Sequence, residues 1–198
     1  MLPLSKFRVF ESTSPLAAWH QRLPDTIQTI GPHAVDSAIT YPVVWEGVRS
    51  GNVVTMQYAD SNFQLELPEE AGRCCVAFDL NGRVHWGYAL GDEVVWNFFD
   101  HRTQGYERIV FEGSYPVASL DSLGPRVSPP VDVALVYHRE DCLYVRYQRE
   151  RYTVEHVIGV VPEGAVLRTM GMNIDNRWVF RFYRQLPPDF TMEIADGS

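Results

Sequence analysis

From Tyr41 onward, apolar and polar residues alternate over short runs separated by turn-forming residues. "YPVVWEGV" passes through Ser50-Gly51-Asn52 into "VVTMQYA", and Asp60-Ser61-Asn62 leads on into "FQLELP". Alternation with period two sends successive side chains to opposite faces of a strand, and glycine, asparagine and aspartate supply the backbone conformations of tight turns. The pattern predicts antiparallel meanders. At 67–72, "LPEEAG" interrupts it with proline and acids, and marks the expected boundary after the first sheet. The beginning of the chain differs. "FRVFES" alternates as a short strand. "SPLAAWHQRL" then places Ser14 as N-cap, Pro15 at the first helical position and Leu16, Trp19 and Leu23 on one face, so a short helix ended by Pro24 is expected. That helix packs on its own β-domain or, as an arm, on a neighbour, with Trp19 as the contact residue.

The next part of the chain aligns with itself. "VAFDLNGRVHWGYALGDEVVWNFF" (76–99) lies beside "VALVYHREDCLYVRYQRERYTVEHVI" (133–158), with Val84 on Leu143, Trp86 on Val145, Tyr88 on Tyr147 and Val95 on Val154. Each copy reads as three strands, followed by a fourth candidate, "RIVFEG" (108–113) or "RWVFRFYR" (177–184). Either a duplication or chance agreement between alternating meanders accounts for the match. The expected class is all-β, with antiparallel meanders forming a sandwich or blade-like, propeller-like sheets, plus the one N-terminal helix. The expected division is an arm and helix at 1–40, a first meander region at 41–118, a serine- and proline-rich linker at 119–131 and a second meander region at 132–198. The two regions can also form a single β domain.

Composition narrows the choice of function. The 198 residues are 45% hydrophobic and 13% aromatic, with 13 prolines and 14 glycines, which suits a packed β protein. A net charge of −8 argues against a nucleic-acid surface and against a basic membrane-binding face. Lys6 is the only lysine, so nearly all positive charge is arginine. Cys74, Cys75 and Cys142 are read as reduced thiols, since their number is odd and two are adjacent. No signal peptide, membrane-spanning run or zinc-ligand spacing is read. No cofactor, metal site or catalytic set is expected, and the chain is read as a non-enzyme. Asp100-His101 are neighbours whose side chains point apart. A Cys142 pair with His138 or His156 lacks an oxyanion loop, and the acids of "PEE" (68–70) sit in a solvated break.

Two groups of residues are candidates for contact. In "YVRYQRERYTVEH" (144–156), Arg146, Arg149 and Arg151 cluster near a hairpin turn, and Arg146 is expected to face Glu155 or His156 across the strand pair. They make a solvated hairpin with cross-strand pairs, a subunit interface or, least of all, a ligand site. Trp86 and Trp178 alternate with polar residues in strands, and are either core residues or a platform for stacking a sugar.

The segment "VDVALVYHREDCLYVRYQRERYTVEHVI" (131–158) resembles virion proteins of tailed bacteriophages: an apolar strand, a polar turn, the aromatic "LYVRYQRERY", then a Val-Glu strand. The resemblance implies a structural component of a tail, collar or fibre attachment, assembled in the host cytoplasm. It implies partners among copies of the chain and other virion proteins, and no cofactor. A carbohydrate-binding β-module, such as one at a tail tip, is the alternative, with a glycan as the partner.

Overall fold

The computed structural model describes residues 7–12, 26–36, 39–121, 132–161, 163–172, 178–184 and 191–196. The helix expected at 14–23, with Trp19, lies outside the described residues. The described chain is all-β and antiparallel, with one 3-10 turn at Gln148–Glu150 and no α-helix. Among the described residues no helix is long and apolar enough to cross a membrane.

The N-terminal strand β1 (Phe7–Ser12) is followed by four successive meanders. The first sheet holds β2 (Thr26–Asp36), β3 (Ile39–Ser50), β4 (Val53–Tyr58) and β5 (Ser61–Glu66). The second holds β6 (Cys74–Phe78), β7 (Val84–Leu90), β8 (Glu93–Asp100) and β9 (Gly105–Glu112). The third holds β10 (Ser114–Leu120), β11 (Val133–Arg139), β12 (Cys142–Tyr147) and β13 (His156–Val160). The fourth holds β14 (Ala165–Met172), β15 (Trp178–Arg184) and β16 (Thr191–Asp196), and β1 completes it by pairing with β16. The two ends of the described chain thus share one sheet.

The first strands of the sheets meet one another. β2 touches β6, β6 touches β10, β10 touches β14, β14 touches β2, and β2 also meets β10. At that last contact the buried Thr29 hydroxyl donates to the Ala118 carbonyl at 3.2 Å. An inner strand has neighbours on both faces: all five residues of β6 are buried, as are the last five of β10, Ser119 among them. The outermost β9 instead alternates half-buried and exposed positions along its whole length.

Three apolar clusters fill the gaps between successive sheets. Trp45, Val54, Met56, Val76 and Phe78 join the first sheet to the second. Trp96, Phe98, Leu120, Leu135 and Tyr137 join the second to the third. Val136, Val145, Leu167, Phe180 and Phe182 join the third to the fourth. Alternate residues of one strand serve different clusters: Val94, Trp96 and Phe98 of β8 face the third sheet, and Val95 faces the first. Burying each such side chain contributes about 1.5–3 kcal/mol before chain entropy is set against it. Arg73 in the connector between the first two sheets donates from Nη1 to the Leu167 carbonyl at 2.8 Å, tying the second sheet to the fourth.

Several expectations can now be placed. The break at 67–72 does separate the first and second sheets. The boundary near residue 40 does not coincide with a sheet boundary, because β2 lies before it and β3 runs across it. The expected linker begins inside β10, and 122–131 lie outside the described residues. The internal alignment is displaced by one strand: it set β6 to β8, the first three strands of their sheet, on β11 to β13, the last three of theirs. Its fourth candidate, 177–184, is β15 of another sheet. The strand it overlooked is β10, whose "VASL" is buried on both sides and shows no alternation.

The structure reveals a closer match between the first two sheets. Gly47 of β3 lies opposite Met56, and Gly87 of β7 lies opposite Trp96. Four residues later, Gly51 and Gly91 take positive φ at the following turn, followed by Asn52 and Asp92. In the third sheet Glu140 holds that turn position with φ 52. A β-carbon at Gly87 would stand 2.5 Å from the Trp96 ring and 2.9 Å from the Val95 carbonyl. Gly87→Ala is therefore expected to destabilise the protein by about 1–3 kcal/mol, as overpacking in a closed core does. Denaturant unfolding checks this, and an unchanged midpoint would count against the stated packing.

Candidate functional site

At one end of the second sheet, two turns lie side by side: 79–83 after β6 and 101–104 after β8. The connection from β12 to β13 in the third sheet, residues 148–155, reaches across to them. A cavity of about 300 Å³ lies between. Asp79, Asn81 and His101 line it from the turns, Phe98 and Phe99 from β8, and Gln148, Arg149 and Arg151 from the connection. Asp100, Arg102, Leu80 and Asp132 complete it.

Asp79 organises the first turn. Its Oδ1 accepts the Asn81 and Arg83 amides, each at 2.8 Å, as an aspartate does when it replaces a backbone turn. Its Oδ2 meets His101 Nε2 at 2.7 Å and accepts Gln148 Nε2 at 3.3 Å. Buried His85 stands behind, with Nε2 3.8 Å from the same oxygen. Burial opposes ionisation of Asp79, but the imidazoles and the Arg83 amide outweigh it and hold the carboxyl well below the usual range. Burial pushes His85 the other way, towards the neutral form. Its Nδ1 is 2.9 Å from the Tyr152 hydroxyl. When Tyr152 donates to Nδ1, the Nε2 proton faces Asp79 at 3.8 Å, beyond hydrogen-bond distance.

The 148–155 connection is held by its own side chains. Arg151 and Tyr152 both take positive φ, 54 and 58, an uncommon conformation for a bulky residue. The Tyr152 ring is fully buried among Trp96, Phe98 and His85, with centroids 4.9–6.1 Å away. Arg151 Nε lies 2.6 Å from Asp100 Oδ2, without the alignment of a hydrogen bond, while its Nη2 donates to Glu107 at 2.8 Å. Burial works against ionised Asp100, yet the Arg102 amide and the Arg151 charge keep its carboxyl below the usual range. Arg149 donates its amide to Asp132 Oδ2 at 2.7 Å and turns Nη1 towards both Asp121 and Asp132, at 3.3 and 3.5 Å. Burial, reinforced by the Asp121 charge, raises Asp132 to about 6 despite Arg149.

Arg146 lies beyond the cavity and faces Glu155, one of the two partners expected from the pattern, at 3.0 Å. Glu155 also accepts Arg139 through both guanidinium nitrogens, at 2.6 and 3.1 Å, and the Tyr137 hydroxyl. Arg146 stacks over Phe111 at 4.4 Å. The three arginines singled out in the sequence are thus engaged with carboxylates of their own chain, and Arg149 and Arg151 alone reach the cavity.

The two tryptophans separate. Trp178 is buried, stacked on Tyr147 at 6.1 Å and edge-on to Phe180, inside the cluster between the third and fourth sheets. Trp86 of β7 is half-buried against the cluster between the first and second sheets. Tyr106, 54% exposed, packs on it at 5.4 Å, and Phe99 packs on Tyr106 at 5.5 Å. This aromatic ledge runs into the cavity through Phe99 and His101, which are 5.1 Å apart.

Sequence reasoning passed over Asp79, Asp132 and Tyr152. "DLNG" reads as an ordinary turn, Asp132 closes the expected linker, and Tyr152 reads as one more alternating residue. Asp100 and His101 were correctly kept apart: His101 joins Asp79 and Asp100 joins Arg151. Among the described residues no group of three or more histidine, cysteine or acidic side chains is placed to hold a metal. Cys74, Cys75 and Cys142 form no disulfide, and burial raises the Cys75 thiol far above its ordinary value. The chain matches no known protein family, and a search of curated proteins finds no relative.

Removing the Glu155 charge leaves Arg139 and Arg146, both partly buried, without their anion. Glu155→Gln is expected to lower the unfolding free energy by about 1–3 kcal/mol, and an unchanged value in denaturant titration would contradict that role. Asp132 gives a prediction of defined sign. Its folded pKa of about 6 exceeds the ordinary 3.8, so the folded state retains a proton that the unfolded state has lost. The stabilisation is complete below pH 4 and is lost as pH rises through 6. Across that window the stability of the wild type relative to Asp132→Asn should fall by up to about 3 kcal/mol. A difference independent of pH would overturn the assignment.

Proposed function

We propose that this protein is a carbohydrate-binding β-module built as four propeller-like blades, with its ligand site at the cavity between the second and third blades. The observation that carries the reading is the continuity of the aromatic ledge with a mixed polar cavity. A pyranose has a C–H face that packs on an aromatic ring and a rim of hydroxyls that both donate and accept. Exposed Tyr106 and half-buried Trp86 offer the first kind of partner, and buried Phe99 backs Tyr106. The Asn81 and Gln148 amides, which donate and accept, and the Arg149 guanidinium, which donates, offer the second. A volume of about 300 Å³ is at the lower end for small-molecule sites and suits one sugar ring. The blade arrangement is supported by the cycle of contacts among β2, β6, β10 and β14 and by the pairing of β1 with β16. The module binds without turnover in this reading.

A second reading follows from the likeness of 131–158 to tailed-phage virion proteins: a structural component that assembles with copies of itself and with other virion subunits. The observation in its favour is that the outermost strands β9 and β13 carry exposed Val110 and Val160, 48% and 50% accessible, on sheet edges that no further strand among the described residues pairs with. The two readings combine if the module sits at a tail tip. Light scattering on the purified chain separates them: a lone stable monomer would sink self-assembly. For the saccharide site, Tyr106→Ala removes an exposed ring. It is expected to cut affinity for bound glycans at least about tenfold, with the melting temperature nearly unchanged. Unaltered binding across a glycan array would remove the ledge from the site.

A further inference from the structure

We infer that the saccharide taken by this cavity is an acidic one, carrying a carboxylate that pairs with the Arg102, Arg149 and Arg151 rim. This rests on the saccharide reading above and adds the charge of the ligand. The cavity contains charges of both signs, but they are not equally presented. Its carboxylates lie deep: the side chains of Asp79, Asp100 and Asp132 are 4%, 3% and 6% accessible. They are also occupied. Asp79 takes two backbone amides, His101 and Gln148. Asp132 takes the Val133 and Arg149 amides and the Arg149 guanidinium. Asp100 takes the Arg102 amide on one oxygen and has Arg151 against the other.

The cations stand in front of these acids. His101, Arg151 and Arg149 side chains are 42%, 36% and 32% accessible, and Arg102 is exposed. Arg149 reaches its carboxylates through Nη1, and Arg151 reaches its own through Nε and Nη2. A guanidinium carries five N–H groups, so each retains donors after those bonds are made. What a ligand meets is therefore a rim of N–H donors backed by buried anions. Those ion pairs hold the Arg149 and Arg151 guanidinium groups in place, with N–H donors left for contact with a carboxylate. The lining arginines Arg102, Arg149 and Arg151 and the lining acids Asp79, Asp100 and Asp132 cancel in charge, so the preference comes from which groups are exposed and not from a net positive field.

The test measures, by isothermal titration on the full chain, matched pairs of sugars that differ in one oxidised carbon: glucose and glucuronate, galactose and galacturonate, mannose and mannuronate. Acetate and inorganic phosphate are run alongside. The expected result is that at least one uronate binds about tenfold or more tightly than its neutral partner and than either simple anion. Its affinity should fall as salt is raised, and Arg102→Ala should reduce it to the neutral level while the melting temperature is kept. A neutral sugar binding as tightly as its uronate overturns the inference and leaves the saccharide reading standing. Acetate or phosphate binding as tightly as the uronates would show a plain anion site and overturn it as well. If no member of any pair binds, the inference and the saccharide reading fall together.

Discussion

The mutual packing of the four first strands is the constraint on which the rest depends. β2, β6, β10 and β14 each have a neighbouring sheet on either side, and β2 meets β10 directly through the Thr29–Ala118 hydrogen bond. A polar residue in such a strand needs a partner inside the protein, as Thr29 has in the Ala118 carbonyl. Outward from β6, the edge strand of the second sheet is free to alternate. The change from the wholly buried β6 to the alternating β9 is this constraint fading with distance from the centre. The small residues follow from the same packing: Gly87 exists so that Trp96 can lie flat against its own sheet and still face the next one.

The polar groups between the second and third sheets act as positioning devices more than as a source of stability. A half-buried ion pair loses hydration nearly as large as its attraction, so Arg149 with Asp121 and Asp132, or Arg151 with Asp100 and Glu107, contribute little net free energy. What they determine is where the 148–155 connection sits. Two consecutive residues with positive φ cost on the order of 1–3 kcal/mol each, and such strain persists only when the surroundings hold it. Here Tyr152 supplies that hold, with its ring packed in the core and its hydroxyl on His85. The cavity wall is thus anchored by a residue that no ligand would touch.

The site combines three physical elements: an aromatic surface half open to solvent, a rim of cationic donors and a floor of occupied carboxylates. Asp79 and Asp132 share the floor, yet their environments drive them in opposite directions. Asp79 is surrounded by donors, while Asp132 is buried beside another acid. One remains ionised throughout and the other changes charge near pH 6, so the electrostatics of the cavity depend on pH even though the fold around it is rigidly packed.

The alternation in the sequence by itself determined the all-β class, the short antiparallel strands and the break at 67–72, because these are local consequences of a two-residue period and a tight turn. Tertiary structure decided what alternation does not encode. It placed β10, whose two buried faces leave no pattern, and so moved the internal match by one strand. It sent Trp178 inward and left Trp86 beside an exposed tyrosine, although both sit in similar local sequences. It joined Asp79 to His101, 22 residues away, and to Gln148, 69 residues away. It also brought Arg151 of the arginine-rich stretch onto Asp100 and Glu107 of the neighbouring sheet. Charges declare their presence in a sequence, but their partners are chosen by which strand ends the packing of the inner strands brings together.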